Sequence, residues 1–369
     1  MCARARSQRV GPRLKSAALA LCLAACTFVS AASAEASSAA PDGGARQAEQ
    51  LSAARVAQAI AEARRAPLAD EAFARLLMLG YRLASAQRFA EAAELFGALV
   101  EQRPRDPSAL YGAALANFNL SRTADAEAIA RRAVDASLAT TVETAVSDVV
   151  KRQRQARAAE ALVLLAVVVA VRGDEGAALE AARQAVRLAP EHFDAQFTLG
   201  RALYGAGDFA GAARAFRVAV RLEPESVPAA FFLATALERS GDAEGALAAY
   251  RELVARRPGA HEGHMGLGVL LVKRGGAGVE EGMKALARAL EINPDLYEAR
   301  ITLGRTLVAR GRAAEAVEHL KRAAALAPDN PEPHYQLSLA YRRLGRTQEA
   351  AAESAIVKRI HESRRGTAP

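Results

Sequence analysis

The sequence predicts an all-α protein built as a solenoid, and three observations carry that prediction. The stretch from Ala195 to Pro224 is followed 34 residues later by a near-copy: Leu199-Gly200 returns as Leu233-Ala234, Ala212 as Ala246, Phe216 as Tyr250 and Pro224 as Pro258. Apolar residues within each copy follow helical spacing, broken by a Gly in the middle and closed by a Pro. The composition is 51% hydrophobic, much of it Ala, with 5% aromatic and no Trp, which suits packed helices better than sheets. A repeat of this period means a stack of similar helix pairs, each too small to bury its own apolar face. Length alone, 369 residues, allows two or three domains; a solenoid grows instead by adding units.

Residues 1–34 read as an export signal. Arg4, Arg6, Arg9, Arg13 and Lys15 form a basic start, Ser16 to Ser33 is almost wholly apolar, and Ala32-Ser33-Ala34 has the small-x-small form of a cleavage site. A second reading stays open: Leu23-Ala24-Ala25-Cys26 resembles the lipobox of bacterial lipoproteins, in which the cysteine, here Cys26, becomes the lipidated first residue. A third is an uncleaved anchor, for which the segment is barely long enough. The leader also explains the charge. The chain has 49 Lys+Arg against 41 Asp+Glu, and without residues 1–34 the balance is 44 against 41. The basic pI therefore gives no support to a nucleic-acid partner. All three cysteines (Cys2, Cys22, Cys26) lie in the leader, so the body can form no disulfide.

Glu35 to Arg46 is small, polar and contains Gly and Pro, as a flexible linker does. Residues 47–66 carry Leu51, Val56 and Ile60 at helical spacing and are expected to form an N-terminal capping helix, ended by Pro67. From about residue 70 to 363 the units align on a second-helix residue: Ala92, Ala126, Ala178, Ala212, Ala246, Gly282, Ala316 and Ala350. A small residue there, and after the first-helix Leu (Gly80, Gly200, Gly268, Gly304 and equivalents), fits a close helix crossing that a larger side chain would overpack by about 1–3 kcal/mol. Four positions on stand Phe96, Ala130, Ala182, Phe216, Tyr250, Leu286, Leu320 and Ser354, and a large residue there fills the gap to the next unit. Gly173, Gly207, Gly241, Gly275, Gly311 and Gly345 share one position and end first helices. Asp174, Asp208 and Asp242 follow as caps. Pro104, Pro190, Pro224, Pro258, Pro294 and Pro328 stop second helices. Residues 364–369 read as a polar tail.

One interval, from Ala126 to Ala178, is 18 residues too long, placing an extra helical insert near 139–157. Thr140-Thr141-Val142-Glu143 has the form of a capping box, and Lys151 to Arg157 is a basic patch. A lone extra helix would reverse the next unit. The expectation is therefore one long helix over 141–172, about 48 Å at 1.5 Å per residue, with a kinked pair as the alternative. The apolar run Leu162 to Val171 is about half the length of a membrane span and reads as a buried first helix.

These repeats resemble the tetratricopeptide repeat family, whose pattern is W-x2-L-G-x2-Y…A-x3-F…P. The Trp is never present; Leu76, Leu110, Leu162, Gln196, Ala230, His264, Arg300 and His334 stand in its place, and the Tyr appears only as Tyr341. The resemblance implies a right-handed α-solenoid of about eight helix pairs, with first helices lining a concave groove. In this family, positions 2, 5, 9, 12 and 13 of each first helix face that groove. Mapped onto this chain they give Tyr111 and Phe118, then Phe197, Arg201 and Tyr204, then Phe231, Glu238 and Arg239. Met265 and Lys273, Ile301 and Arg305, and Tyr335, Arg342 and Arg343 complete the series. Aromatics alternating with cations suit an acidic or apolar peptide segment of a protein partner. The alternative is that position 5 packs between first helices and the cations are only solvated. The family's carboxylate clamp needs an Asn at position 9; Arg201, Thr235, Arg305 and their equivalents do not supply it.

No enzyme, metal or cofactor is expected. His261-Glu262-Gly263-His264 fails the zinc-protease form because residue 265 is Met. Gly205 to Ala210 matches a loose dinucleotide motif but follows a helix, not a strand. The expectation is an exported, periplasmic, non-catalytic scaffold that binds a protein partner in the bacterial envelope. By resemblance its setting is envelope assembly, secretion, pilus biogenesis or polysaccharide export. The alternative is a lipid-anchored accessory subunit that recruits an enzyme or membrane complex. No nucleic acid is expected, and the membrane is reached only through the leader or a lipid.

Overall fold

The computed structural model describes residues 52–65, 67–141 and 147–366. The leader with Cys26, the 35–46 linker, residues 47–51 of the capping segment, 142–146 of the insert and 367–369 lie outside them. Among the described residues there are 17 α-helices and no strand, and the fold is an all-α solenoid. Contacts divide the chain into two compact units, up to Ala206 and from Gly207. In the first, α1 (Ala53–Arg65) precedes α2 (Asp70–Ser85), α3 (Phe89–Gln102), α4 (Pro107–Asn119), α5 (Thr123–Thr141), α6 (Asp148–Val171), α7 (Glu175–Leu188) and α8 (Phe193–Gly205). The second holds α9 (Phe209–Leu222), α10 (Val227–Ser240), α11 (Ala243–Arg256), α12 (His261–Arg274), α13 (Val279–Ile292), α14 (Tyr297–Ala309), α15 (Ala313–Leu326), α16 (Pro331–Arg343) and α17 (Thr347–Gly366).

The repeat positions do what their chemistry requires. Phe96, fully buried, lies between two glycines: a Cβ on Gly80 of its own pair or on Gly112 of the next would come within 2.7 or 2.5 Å of its ring. Tyr250 closes on Gly266 in the same way, at 2.2 Å, and Leu286 and Leu320 close on Gly268 and Gly304. Phe216 stacks on Phe232 of α10 at 5.4 Å between centroids. Six of the eight second helices start in one of two ways. Asp174, Asp208 and Asp242 accept from the amides of Ala177, Gly211 and Gly245 at 2.9, 2.8 and 2.8 Å. Elsewhere Arg88, Arg312 and Arg346 sit at the N-cap and pair with Glu91, Glu315 and Glu349 three residues on, placing the carboxylate in the first turn where the helix dipole favours it.

At three of the eight Trp positions a polar side chain takes up the space and bonds to backbone. Gln196 Nε2 donates to the carbonyl of Pro190 at 2.7 Å, and Arg300 Nε to that of Pro294 at 2.6 Å. His264 Nε2 lies 3.0 Å from the Pro258 oxygen. Each ties a first helix to the proline that closed the preceding unit. Ala230 cannot reach Pro224, and a small cavity of about 20 Å³ lined by Pro224, Ala230, Leu233 and Leu253 remains there.

The prolines set helix length. The six second helices followed by a Pro end two residues before it and have 14 residues each. Leu138 and Glu362 stand where the other units have Pro, and α5 and α17 run to 19 and 20 residues. Residues 364–366 of the expected tail are therefore helical. The insert also departs from expectation. Thr140 and Thr141 finish α5, their hydroxyls donating to the carbonyls of Ser137 and Leu138 at 2.7 Å each, so they open no helix. The next helix starts at Asp148, capped by Ser147. It does continue through Leu162–Val171, but its 24 residues make about 36 Å, not 48. The extra sequence thus lengthens both α5 and α6, joined by Arg154 Nη1 donating to the Thr140 carbonyl at 2.8 Å. Leu162, Leu164, Ala166, Val168 and Val169 are buried. No helix among the described residues is long and apolar enough to cross a membrane.

All six aligned glycines have positive φ, from 71° to 92°. In the first two units Gln87 and Ser121 occupy that position at φ 60° and 61°. A left-handed non-glycine costs roughly 1–2 kcal/mol, partly offset by glycine's greater unfolded-state entropy. Gln87→Gly and Ser121→Gly should therefore each stabilise the protein by about 0.5–1 kcal/mol, read from the denaturation midpoint; a loss of stability in both would contradict this account.

Candidate partner-binding face

Within the second unit, α10, α12, α14 and α16 run parallel and touch one another in sequence, while the second helices do not meet to a comparable extent. The first helices therefore form a continuous wall. Down its middle runs one residue from each: Phe231, Met265, Ile301 and Tyr335. Phe231 is half-buried, 6.1 Å from both the Phe232 and Tyr250 rings. Met265 and Ile301 rest against the core with one side outward. Tyr335 is 50% exposed.

The predicted cations divide by how they are engaged. Arg239 lies over the Phe209 ring, 4.7 Å from its centroid. Lys273 Nζ is 2.7 Å from Glu238 Oε1, joining α12 to α10. Arg342 reaches Ser354 Oγ at 3.5 Å. Arg305 is exposed and forms no ion pair among the described residues, and Arg343 is exposed as well. Phe197 belongs to the first unit and departs most from expectation. It is 7% exposed and stacks on Phe193 at 5.7 Å, so it packs inside rather than facing a ligand. Arg201 and Tyr204, half-buried on α8, are likewise in the first unit, as are half-buried Tyr111 and buried Phe118.

The position rule that selected Phe231 also selects position 2, and those residues change the character of the wall. Glu262, Glu298 and Glu332 lie in the first turns of α12, α14 and α16. Arg239, Lys273, Arg342 and Arg343 lie in last turns. Each charge sits at the helix end whose partial charge it complements, so the wall is acidic along one edge and basic along the other. Glu298 is open to solvent by area, yet burial pushes its carboxyl above the ordinary carboxylate range, with a smaller push from Glu238. Among the described residues no group of three or more His, Cys, Asp and Glu is placed to hold a metal ion.

Ionised Glu298 is penalised in the folded state, because its folded pKa lies above the ordinary 4.5. That penalty is full above the raised value and vanishes below 4.5. Glu298→Gln should therefore be more stable than wild type at pH 7, with the gap closing as pH falls towards 4.5. Thermal melts across that range read it, and a gap that widens on acidification would refute the placement.

A tetratricopeptide repeat family model matches residues 77–137, 172–230, 197–261 and 233–297, and a second TPR repeat model matches 304–345. None of the curated proteins matches. Among solved structures, the chain is similar to a tetratricopeptide repeat protein from Parabacteroides merdae at 14% identity and a TM-score of 0.50, over 73% of this chain and 98% of that one. It is also similar to YrrB, described as a TPR protein with an unusual peptide-binding site (18% identity, TM-score 0.42, 49% of this chain and 93% of that one). A further match is MamA (20% identity, TM-score 0.43, 48% and 96%).

Proposed function

Because the chain belongs to the tetratricopeptide repeat family, we propose that it is a non-catalytic scaffold holding a segment of a partner protein on the wall formed by α10, α12, α14 and α16. The observation that carries this reading is that half-exposed Tyr335 on α16 and exposed Arg305 on neighbouring α14, which forms no ion pair among the described residues, both lie on a wall whose middle is apolar. An exposed aromatic offers contact area at low entropic cost, and a guanidinium free of an internal carboxylate is open to one from a ligand. The segment the wall fits is partly apolar. It carries an acidic group for Arg305 and Arg342, and a basic group on the Glu298 side. The basic group is an addition to the acidic or apolar segment expected from sequence, and Lys273 makes little call on the ligand because it already pairs with Glu238. In co-purification from native cells, Tyr335→Ala/Arg305→Glu should recover at least about tenfold less partner than wild type at equal expression and helicity, corresponding to a loss of about 1.4 kcal/mol. Undiminished recovery rejects the reading.

The setting we propose is the bacterial envelope, reached through the export signal of residues 1–34; support comes from its basic start, apolar run and small-x-small end. Amino-terminal sequencing of the native protein should begin at Glu35. A lipid-modified Cys26 as first residue would favour the lipoprotein reading and the recruiting role that goes with it. An intact Met1 on protein from the cytosol would overturn both.

A further inference from the structure

The outer face of the second unit, on the second-helix side, carries a separate feature. Arg214, Arg217 and Arg221 stand at i, i+3 and i+7 on α9, all exposed, in one stripe about 10 Å long. Helix α9 has no Asp or Glu, and among the described residues none of the three arginines forms a hydrogen bond or ion pair. The neighbouring helices show what the fold does when it intends to satisfy such a charge. Arg251, the equivalent of Arg217 on α11, donates to both oxygens of Glu281 on α13 at 2.9 and 3.0 Å. Gly245 stands on α11 where Glu281 stands on α13, so Arg217 is given no such partner. The outward positions of α11 are Ala248, Arg251 and Ala255; those of α13 are Lys284, Ala287 and Glu291; those of α15 are Glu318, Lys321 and Ala325. In this unit only α9 has three cations in line.

We propose that this stripe docks an acidic helix of a protein partner, with carboxylates at i, i+3 or i+4, and i+7 opposing the three guanidiniums. The charge budget favours a short carboxylate ridge over a long polyanion. Residues 207–369 hold 24 Lys+Arg against 20 Asp+Glu, so the unit has no broad positive field, and recognition rests on local bidentate pairs. The stripe lies on one second helix, α9, and the candidate wall on the first helices. A partner held here leaves the wall free, and this proposal does not depend on the wall's function.

The probe is a fluorescein-labelled, alanine-based helical peptide with Glu at those spacings, measured by anisotropy against the full chain at low salt. Controls are the same peptide with Gln for Glu, and single-stranded oligo(dT). The Glu peptide should bind with a salt-sensitive affinity. That affinity should fall at least about tenfold in Arg214→Gln/Arg217→Gln/Arg221→Gln and stay unchanged in Lys284→Gln, an exposed outward cation of α13, each variant being confirmed helical by circular dichroism. Three results overturn the proposal: equal binding of the Glu and Gln peptides, equal binding by wild type and the triple variant, or tighter binding of oligo(dT) through the same arginines.

Discussion

The fold depends on one recurring contact: in five of the eight pairs a large side chain on the second helix (Phe96, Phe216, Tyr250, Leu286 or Leu320) packs against small or aromatic residues of the neighbouring first helices. Phe96 between Gly80 and Gly112 shows it most plainly, and Tyr250 against Gly266 repeats it. A two-helix unit has too little interior to stand alone. Its stability is therefore shared, since the side chain that closes one pair also seats the following one. Packing this tight leaves no room for adjustment at the glycines, whereas the outer and first-helix faces can vary without disturbing the stack.

That freedom explains why charge is arranged as it is on the first-helix wall. Each helix favours an acid in its first turn and a base in its last. When parallel helices line up, those local preferences become two edges of opposite sign. Glu262, Glu298 and Glu332 on one edge and Arg239, Lys273, Arg342 and Arg343 on the other follow from helix stability alone. What distinguishes one wall from another is which of these charges stays unpaired and which apolar residues lie between them. Here Lys273 is consumed by Glu238, while Arg305 forms no ion pair among the described residues.

Most of the fold was legible in the residue pattern, because it rests on residues whose steric roles are strict. The glycines at positive φ, the prolines two residues beyond helix ends and the aspartate caps all stand where spacing placed them. The insert was misread for a local reason: Thr140 and Thr141 can cap the helix after them or bond back to the turn before them, and sequence does not distinguish the two. Phe197 illustrates a limit of position rules. Position 5 sits at the seam between wall and core, and stacking on Phe193 draws its ring inward, whereas Tyr335 at the same position stays out. The polar side chains in place of Trp were visible as departures, but their bonds to the proline carbonyls depend on backbone geometry that spacing does not reveal. The position-2 acids were legible under the same rule that selected the aromatics.

The long α5–α6 hairpin shows how such an array absorbs foreign sequence. Adding one helix would flip the direction of every later element, whereas lengthening two consecutive helices, the second more than the first, leaves the parity of the stack unchanged. The arm built this way has no fixed length that the neighbouring units must respect. It can be reshaped independently, as an appendage, while the interlocked side chains beneath it continue to count off their period.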